Sequence, residues 1–150
     1  MKRDKAIGAT IGAIGVAALA GANQMFIDAD GGGSVYGYIQ KYDALQKAGT
    51  QVVVRGACYS SCTMALGYPR TCLMPDATLG FHPAYVPYLF GLAHYAVNPA
   101  ATKVMRDHYP ADALEVIDRH NGLRDNGGWL RPKITVVSAK EFPQRYRCEQ

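Results

Sequence analysis

The residues best placed to do chemistry are a serine and a histidine. Ser60 closes the stretch Gly56-Ala-Cys-Tyr-Ser60, directly after the β-branched run Gln51 to Arg55. That run reads as a strand, Gly56 as a turn, and Ser60 to Leu66 as a helix of small residues. A serine on a sharp strand-to-helix turn exposes its hydroxyl, and the helix behind it aims its first N–H groups at the same point. His82 ends a second short strand, Thr78 to Phe81, which can hold its imidazole rigidly. Acyl transfer needs a nucleophile, a base for its proton, and N–H donors for the oxyanion. Ser60, His82 and the Ser61 N–H fit these roles. The loop Gly31-Gly32-Gly33 also follows a strand and precedes a helix, so its N–H groups can approach a substrate closely. Each feature alone has an ordinary structural use: serine as a helix cap, histidine as a hydrogen-bonded core residue, a glycine run as a turn. Their combination and order point to a nucleophilic site.

Several elements must position these groups. Gln24 to Asp28 reads as a short buried strand ending in the turn Asp30-Gly-Gly-Gly33. Val35, Ile39, Tyr42 and Leu45 recur at helical spacing, and Gly49 stands where a C-terminal stop belongs. Two short strands, Thr71 to Met74 and Thr78 to Phe81, flank the turn at Pro75-Asp76. The alternation of strands and helices predicts an α/β architecture. Asn98-Pro99 has the form of an N-cap followed by proline in the first helical turn. A further helix is expected from Ala111 to His120, with Leu114 and Ile117 inward, then a polar loop, Asn121 to Gly128. Ile134 to Val137 reads as the last strand, and Ser138-x-x-Glu141 as a capping box. The segment Pro83 to Val97 fits no single pattern. Its aromatic part, Tyr85 to Phe90, suits an apolar groove, a core or an oligomer contact equally well.

At 150 residues the chain is long enough for one domain with a proper core. Its net charge of +4 comes from scattered Lys and Arg with two loose clusters, Lys2/Arg3/Lys5 and Arg119/Arg124/Arg131/Lys133. A solvated surface accounts for these more simply than a nucleic-acid footprint, so no nucleic-acid partner is expected. Met-Lys-Arg-Asp-Lys precedes an apolar run, Ala6 to Ala20, with small-x-small sites at its end. Residues 1–22 are therefore expected to be a signal peptide or membrane anchor, the rival being a core helix, and residues 23–150 a single domain. Four cysteines, Cys58, Cys62, Cys72 and Cys148, suit an oxidising compartment and allow three pairings. Zinc is the rival use of Cys58 and Cys62, but no second tight Cys or His pair follows. Asp28-x-Asp30 resembles the start of a calcium loop, yet Ile39 stands where the bidentate Glu is required. No metal and no cofactor is expected.

The motifs resemble those of a known family, the proteolytic subunit of Clp protease. Asp30-Gly-Gly-Gly-Ser-Val35 and Lys41-Tyr-Asp-Ala-Leu-Gln46 are similar to its Pro-Gly-Gly-Ser-Val loop and Tyr-Asp-x-Met-Gln helix. Gly56-Ala-Cys-Tyr-Ser60 resembles its Gly-x-Ala-Ala-Ser nucleophile turn. Arg70-Thr-Cys-Leu-Met-Pro75 and Gly80-Phe-His82-Pro resemble the Lys-Arg-x-x-Leu-Pro strand and the Ile-His-Gln-Pro segment with the catalytic histidine. Cys58-x-Ser60-x-Cys62 is similar to the Cys-x-Ser-x-Cys-Thr signature of an exported bacterial branch. The resemblance spans Gln24 to Pro83. In the C-terminal half, Leu114-Glu-Val-Ile-Asp-Arg119 and Leu123-Arg-Asp125 are similar to stretches of which the second contains the family's catalytic aspartate.

The resemblance implies a Clp-protease/crotonase-like α/β fold of repeated β-β-α units. It implies Ser60 as nucleophile, His82 as base, Asp125 as the residue orienting His82, and Gly33 and Ser61 as oxyanion donors. Asp118 and Asp107 are the alternative carboxylates. The implied activity is that of an ATP-independent serine peptidase acting on peptides or proteins, exported to the periplasm or membrane-anchored, with a cytoplasmic location as the alternative. A homo-oligomer and membrane association through the N-terminus also fit. The family's long handle helix is replaced here by the shorter Pro83 to Val97, so ring assembly is not implied. Two other functions fit the same motifs: a catalytically inactive Clp-like fold serving as a membrane-associated binding or structural protein, and a crotonase-like acyl-CoA enzyme.

Overall fold

The computed structural model describes residues 23–88 and 93–149. The expected leader or anchor, residues 1–22, lies outside them. Among the described residues no helix is long and apolar enough to cross a membrane.

The protein is a mixed α/β structure built on a mostly parallel sheet. Strand β1 (Gln24–Asp30) leads through the glycine loop into helix α1 (Val35–Lys47). The Ser34 hydroxyl caps that helix by accepting from the Gly37 N–H. Gly49, with a positive φ of 67°, turns the chain out of α1, as the glycine stop predicts. Strand β2 (Gln51–Tyr59) then runs parallel to β1, with a register shift between Ile27 and Ala29.

The other edge of β2 is shared. Strand β3 (Thr71–Leu73) pairs with Val52–Val54, and β4 (Thr78–Phe81) pairs with Ala57–Tyr59, both parallel. β7 (Thr135–Ser138) closes the far edge antiparallel to β4. The long central strand β2 carries Val54 and Cys58, both fully buried, and ends at Tyr59, directly before Ser60. Each buried Val or Leu of the sheet adds roughly 1.5–3 kcal/mol of transfer free energy.

Helices α2 (Pro99–His108) and α3 (Ala111–Arg119) follow, and the Asn98 side chain caps α2 ahead of Pro99, as expected. Ile117 is fully buried, while Leu114 packs at the margin of the core. Alternation along the edge strands buries Ile27 and Val137 and leaves Phe26 and Val136 on the outer face.

Three details differ from the sequence expectation. Strand β1, expected to be buried, lies at the sheet edge and is mostly exposed, with Ile27 as its one buried residue. Within the segment that fits no single sequence pattern, β5 (Tyr85–Tyr88) and β6 (Ala93–Val97) pair as an antiparallel two-stranded ribbon. The segment from Ser60 to Gly67 is a 3₁₀ helix rather than an α-helix. A disulfide ties Cys62 in its first turn back to Cys58 of β2, and the Thr63 hydroxyl donates to the Ser60 carbonyl.

All four cysteines are paired, Cys58 with Cys62 and Cys72 with Cys148. The second bridge ties the C-terminal segment to β3, where Leu73 also accepts from the Cys148 N–H. Two disulfides suit an oxidising, exported environment.

Candidate functional site

Ser60 has a φ of 59°, the left-handed conformation that non-glycine residues rarely adopt. Such a residue costs of order 1–3 kcal/mol and persists only when its surroundings enforce it. Four constraints do so here. The Cys58–Cys62 disulfide straddles Ser60. The Thr63 hydroxyl donates to the Ser60 carbonyl at 2.6 Å and meets the buried Tyr109 hydroxyl at 2.7 Å. The Tyr42 hydroxyl of α1 donates to the Cys62 carbonyl at 2.7 Å. The fourth is the glycine loop, which presses on the turn from the other side.

Gly32 makes that contact. Its φ is +81°, and a Cβ placed there would lie 2.6 Å from Ser60 Cβ, 2.6 Å from the Tyr59 carbonyl oxygen and 2.9 Å from the Ser61 nitrogen. Only glycine permits such an approach. The loop is anchored at its base by Asp30, whose carboxylate accepts from the Gly32 N–H at 2.9 Å, from Tyr38 and from Lys41 at 3.2 Å. Burial pushes the Asp30 carboxyl up, but these donors outweigh it and hold it below its ordinary value.

The two adjacent serines have different environments. Ser61 is fully buried, and its hydroxyl both accepts from the Gly33 N–H at 2.7 Å and donates to the Gly33 carbonyl at 2.9 Å. Ser60 is half-buried and lines a cleft of about 510 Å³ together with the glycine loop, His82, Tyr85 and Arg131. Of the two serines, Ser60 is the one that lines this cleft.

His82 is 7% exposed. Its Nδ1 lies 2.8 Å from the Pro83 carbonyl oxygen. A carbonyl can only accept, so Nδ1 carries the proton and Nε2 is left with a lone pair. Burial lowers the His82 pKa from its ordinary value; the Pro83 carbonyl opposes this, and the Arg131 charge reinforces it. The imidazole is therefore neutral at pH 7, the form a general base requires. The Tyr85 ring flanks it, with centroids 5.4 Å apart.

The expected third residue, Asp125, is engaged elsewhere. Its carboxylate accepts from the Tyr95 hydroxyl and from the Gly127 N–H at 3.2 Å, and the position expected for it on His82 Nδ1 is taken by Pro83. Asp118 pairs with Arg106 at 2.5 Å and Asp107 with Lys103 at 2.6 Å, so both alternative carboxylates are committed on the surface.

The two expected oxyanion donors also differ. Ser61 is the second residue of the 3₁₀ segment, so its N–H belongs to the first turn, which lacks an acceptor within the helix. The Gly33 N–H is already donated to the Ser61 hydroxyl. The sequence marks Gly32 only as one of three loop glycines and Arg131 only as one of a basic cluster, and gives no role to Thr63 or the Pro83 carbonyl. The positive φ at Gly32 had a signal in the glycine run, whereas the Pro83 contact is made by a backbone atom and has none.

No family model matches the chain, and no curated protein matches it.

Proposed function

We propose that this protein is a serine hydrolase in which Ser60 is the nucleophile and His82 the general base, with peptides or proteins as substrates. The observation that carries the reading is the strained, disulfide-clamped Ser60 sharing a cleft with a neutral histidine whose Nδ1 proton is held by a backbone carbonyl. In the reaction, His82 Nε2 takes the Ser60 Oγ proton as Oγ attacks the acyl carbon. The Ser61 N–H faces the developing oxyanion. Collapse returns the proton from Nε2 to the leaving group and leaves an acyl-serine, which His82 helps water to hydrolyse. The Pro83 carbonyl does what a carboxylate does in a triad, fixing the tautomer, but without a full negative charge to stabilise the imidazolium. The catalytic unit is then a Ser–His dyad, with Asp125 in a structural bond to Tyr95.

The motif order, the glycine loop against the serine turn and the mostly parallel sheet support placing the domain, residues 23–150, in the Clp-protease/crotonase group. The paired cysteines and the basic, then apolar, N-terminal sequence support export, with the N-terminus as leader or membrane anchor.

One observation favours a second reading, a catalytically silent Clp-like binding protein. With the Gly33 N–H tied to Ser61, the oxyanion site has one expected donor in place of two. Labelling with a fluorophosphonate separates the two readings. Modification of Ser60 that is abolished in Ser60→Ala and strongly slowed in His82→Ala supports the hydrolase, and Asp125→Asn should then keep its labelling rate within a few-fold. Absence of labelling, or labelling at Ser61, rejects the hydrolase.

A further inference from the structure

The cleft beside Ser60 carries one permanent charge. Arg131 lines it, and no Asp or Glu does. The guanidinium groups of Arg55, Arg106, Arg119 and Arg145 each meet a carboxylate. Arg131 has no ion pair or side-chain hydrogen bond among the described residues, and its side chain is exposed. The loop backbone that carries it is held in place. The Asn126 amide donates to the Lys133 carbonyl at 2.8 Å and accepts from the Lys133 N–H at 2.6 Å, pinching the loop that carries Arg131. Pro132, the next residue, is buried. The Arg131 charge also reaches the catalytic histidine, whose protonation it opposes. An unneutralised guanidinium at a cleft is suited to receive a carboxylate, because its planar fork matches two carboxylate oxygens.

We propose that Arg131 recognises a carboxylate of the substrate, either the C-terminal carboxylate of a peptide or an acidic side chain, and so makes the protein selective for anionic peptides. This rests on the serine-hydrolase reading of the cleft. The probes are three acetylated tripeptides: trialanine with a free carboxylate, trialanine amide, and Ala-Glu-Ala amide. Each is titrated by NMR into the full-length Ser60→Ala protein and into the same protein with Arg131→Gln. Because Arg131 is exposed, the Gln variant should keep its melting temperature.

The expected result is about tenfold tighter binding of one carboxylate peptide than of trialanine amide, the size of one charge-assisted hydrogen bond. The preference should vanish in Arg131→Gln and fade in high salt. Whichever carboxylate peptide wins identifies the source of the anion. Equal affinities, no binding, or a preference that survives Arg131→Gln overturns the inference. Labelling of wild-type Ser60 by a neutral fluorophosphonate is measured in parallel. Labelling together with equal affinities removes Arg131 alone, whereas absent labelling removes the hydrolase reading and with it the assignment of Arg131 to a substrate.

Discussion

Replacing Gly32 by alanine tests how the serine turn is held. Two costs act at that position, and the structure separates them. The positive φ of 81° costs an L-residue about 1–2 kcal/mol. The new Cβ would also lie 2.6 Å from Ser60 Cβ and from the Tyr59 carbonyl oxygen, well inside van der Waals contact, and overpacking of this kind costs roughly 1–3 kcal/mol. Together they predict a loss of about 2–5 kcal/mol. Gly127 serves as the reference for the first cost alone, since its φ is +74° but its Cβ would meet nothing within 4 Å. Gly127→Ala should lose only about 1–2 kcal/mol. Gly31 carries neither cost, and Gly31→Ala should be neutral in stability. The collision in Gly32→Ala can be relieved only by moving the loop or flattening the Ser60 turn. A shift of about 1 Å in a reacting group can cost on the order of a hundredfold in rate. Urea unfolding with the disulfides intact gives the stabilities, and the fluorophosphonate labelling rate of Ser60 gives the second readout. If Gly32→Ala matches Gly127→Ala in both, the loop does not press on the serine turn and the account of the strained Ser60 fails.

Two further predictions concern His82 and the disulfides. Because burial lowers the His82 pKa, the acid limb of the labelling rate should lie below pH 6.5, with full activity at neutral pH. The unfolded chain binds this proton more readily than the folded one, so the His82 contribution to stability is present above about pH 6.5 and is lost as pH falls through the folded pKa. An acid limb above pH 7 would show a protonated resting histidine. Removing Cys72–Cys148 as a pair of serines opens a long loop and should cost about 4–5 kcal/mol, while removing Cys58–Cys62 frees a short loop and should cost about 2 kcal/mol. Only the second should slow labelling of Ser60 strongly, because it alone straddles that residue; equal slowing by both would refute the clamp.

Local features were legible in the chain because they act over a few residues. The strand–helix order from Gln24 to Phe81, the Gly49 stop, the Asn98 cap before Pro99 and the strand-to-helix turn at Ser60 all follow from periodicity, capping and glycine placement. The even cysteine count announced disulfides but left three pairings open. The 76-residue separation of Cys72 and Cys148 is closed only when the C-terminal segment reaches β3. The same limit applies to the candidate site. Asp125 was identified by the residues around it, yet its hydrogen bonds go to Tyr95 and Gly127, because the β5–β6 ribbon brings a tyrosine to it. His82 is oriented by the carbonyl of its own neighbour, a contact set by a side-chain rotamer that no residue pattern records. The Gly33 N–H is claimed by a buried serine from a different strand end, and Arg131 enters the cleft from a distant loop. Residue types and short spacings decided which groups could react; the packing of segments far apart in the chain decided which partners those groups have, since hydrogen bonds and charges act across space and not along sequence.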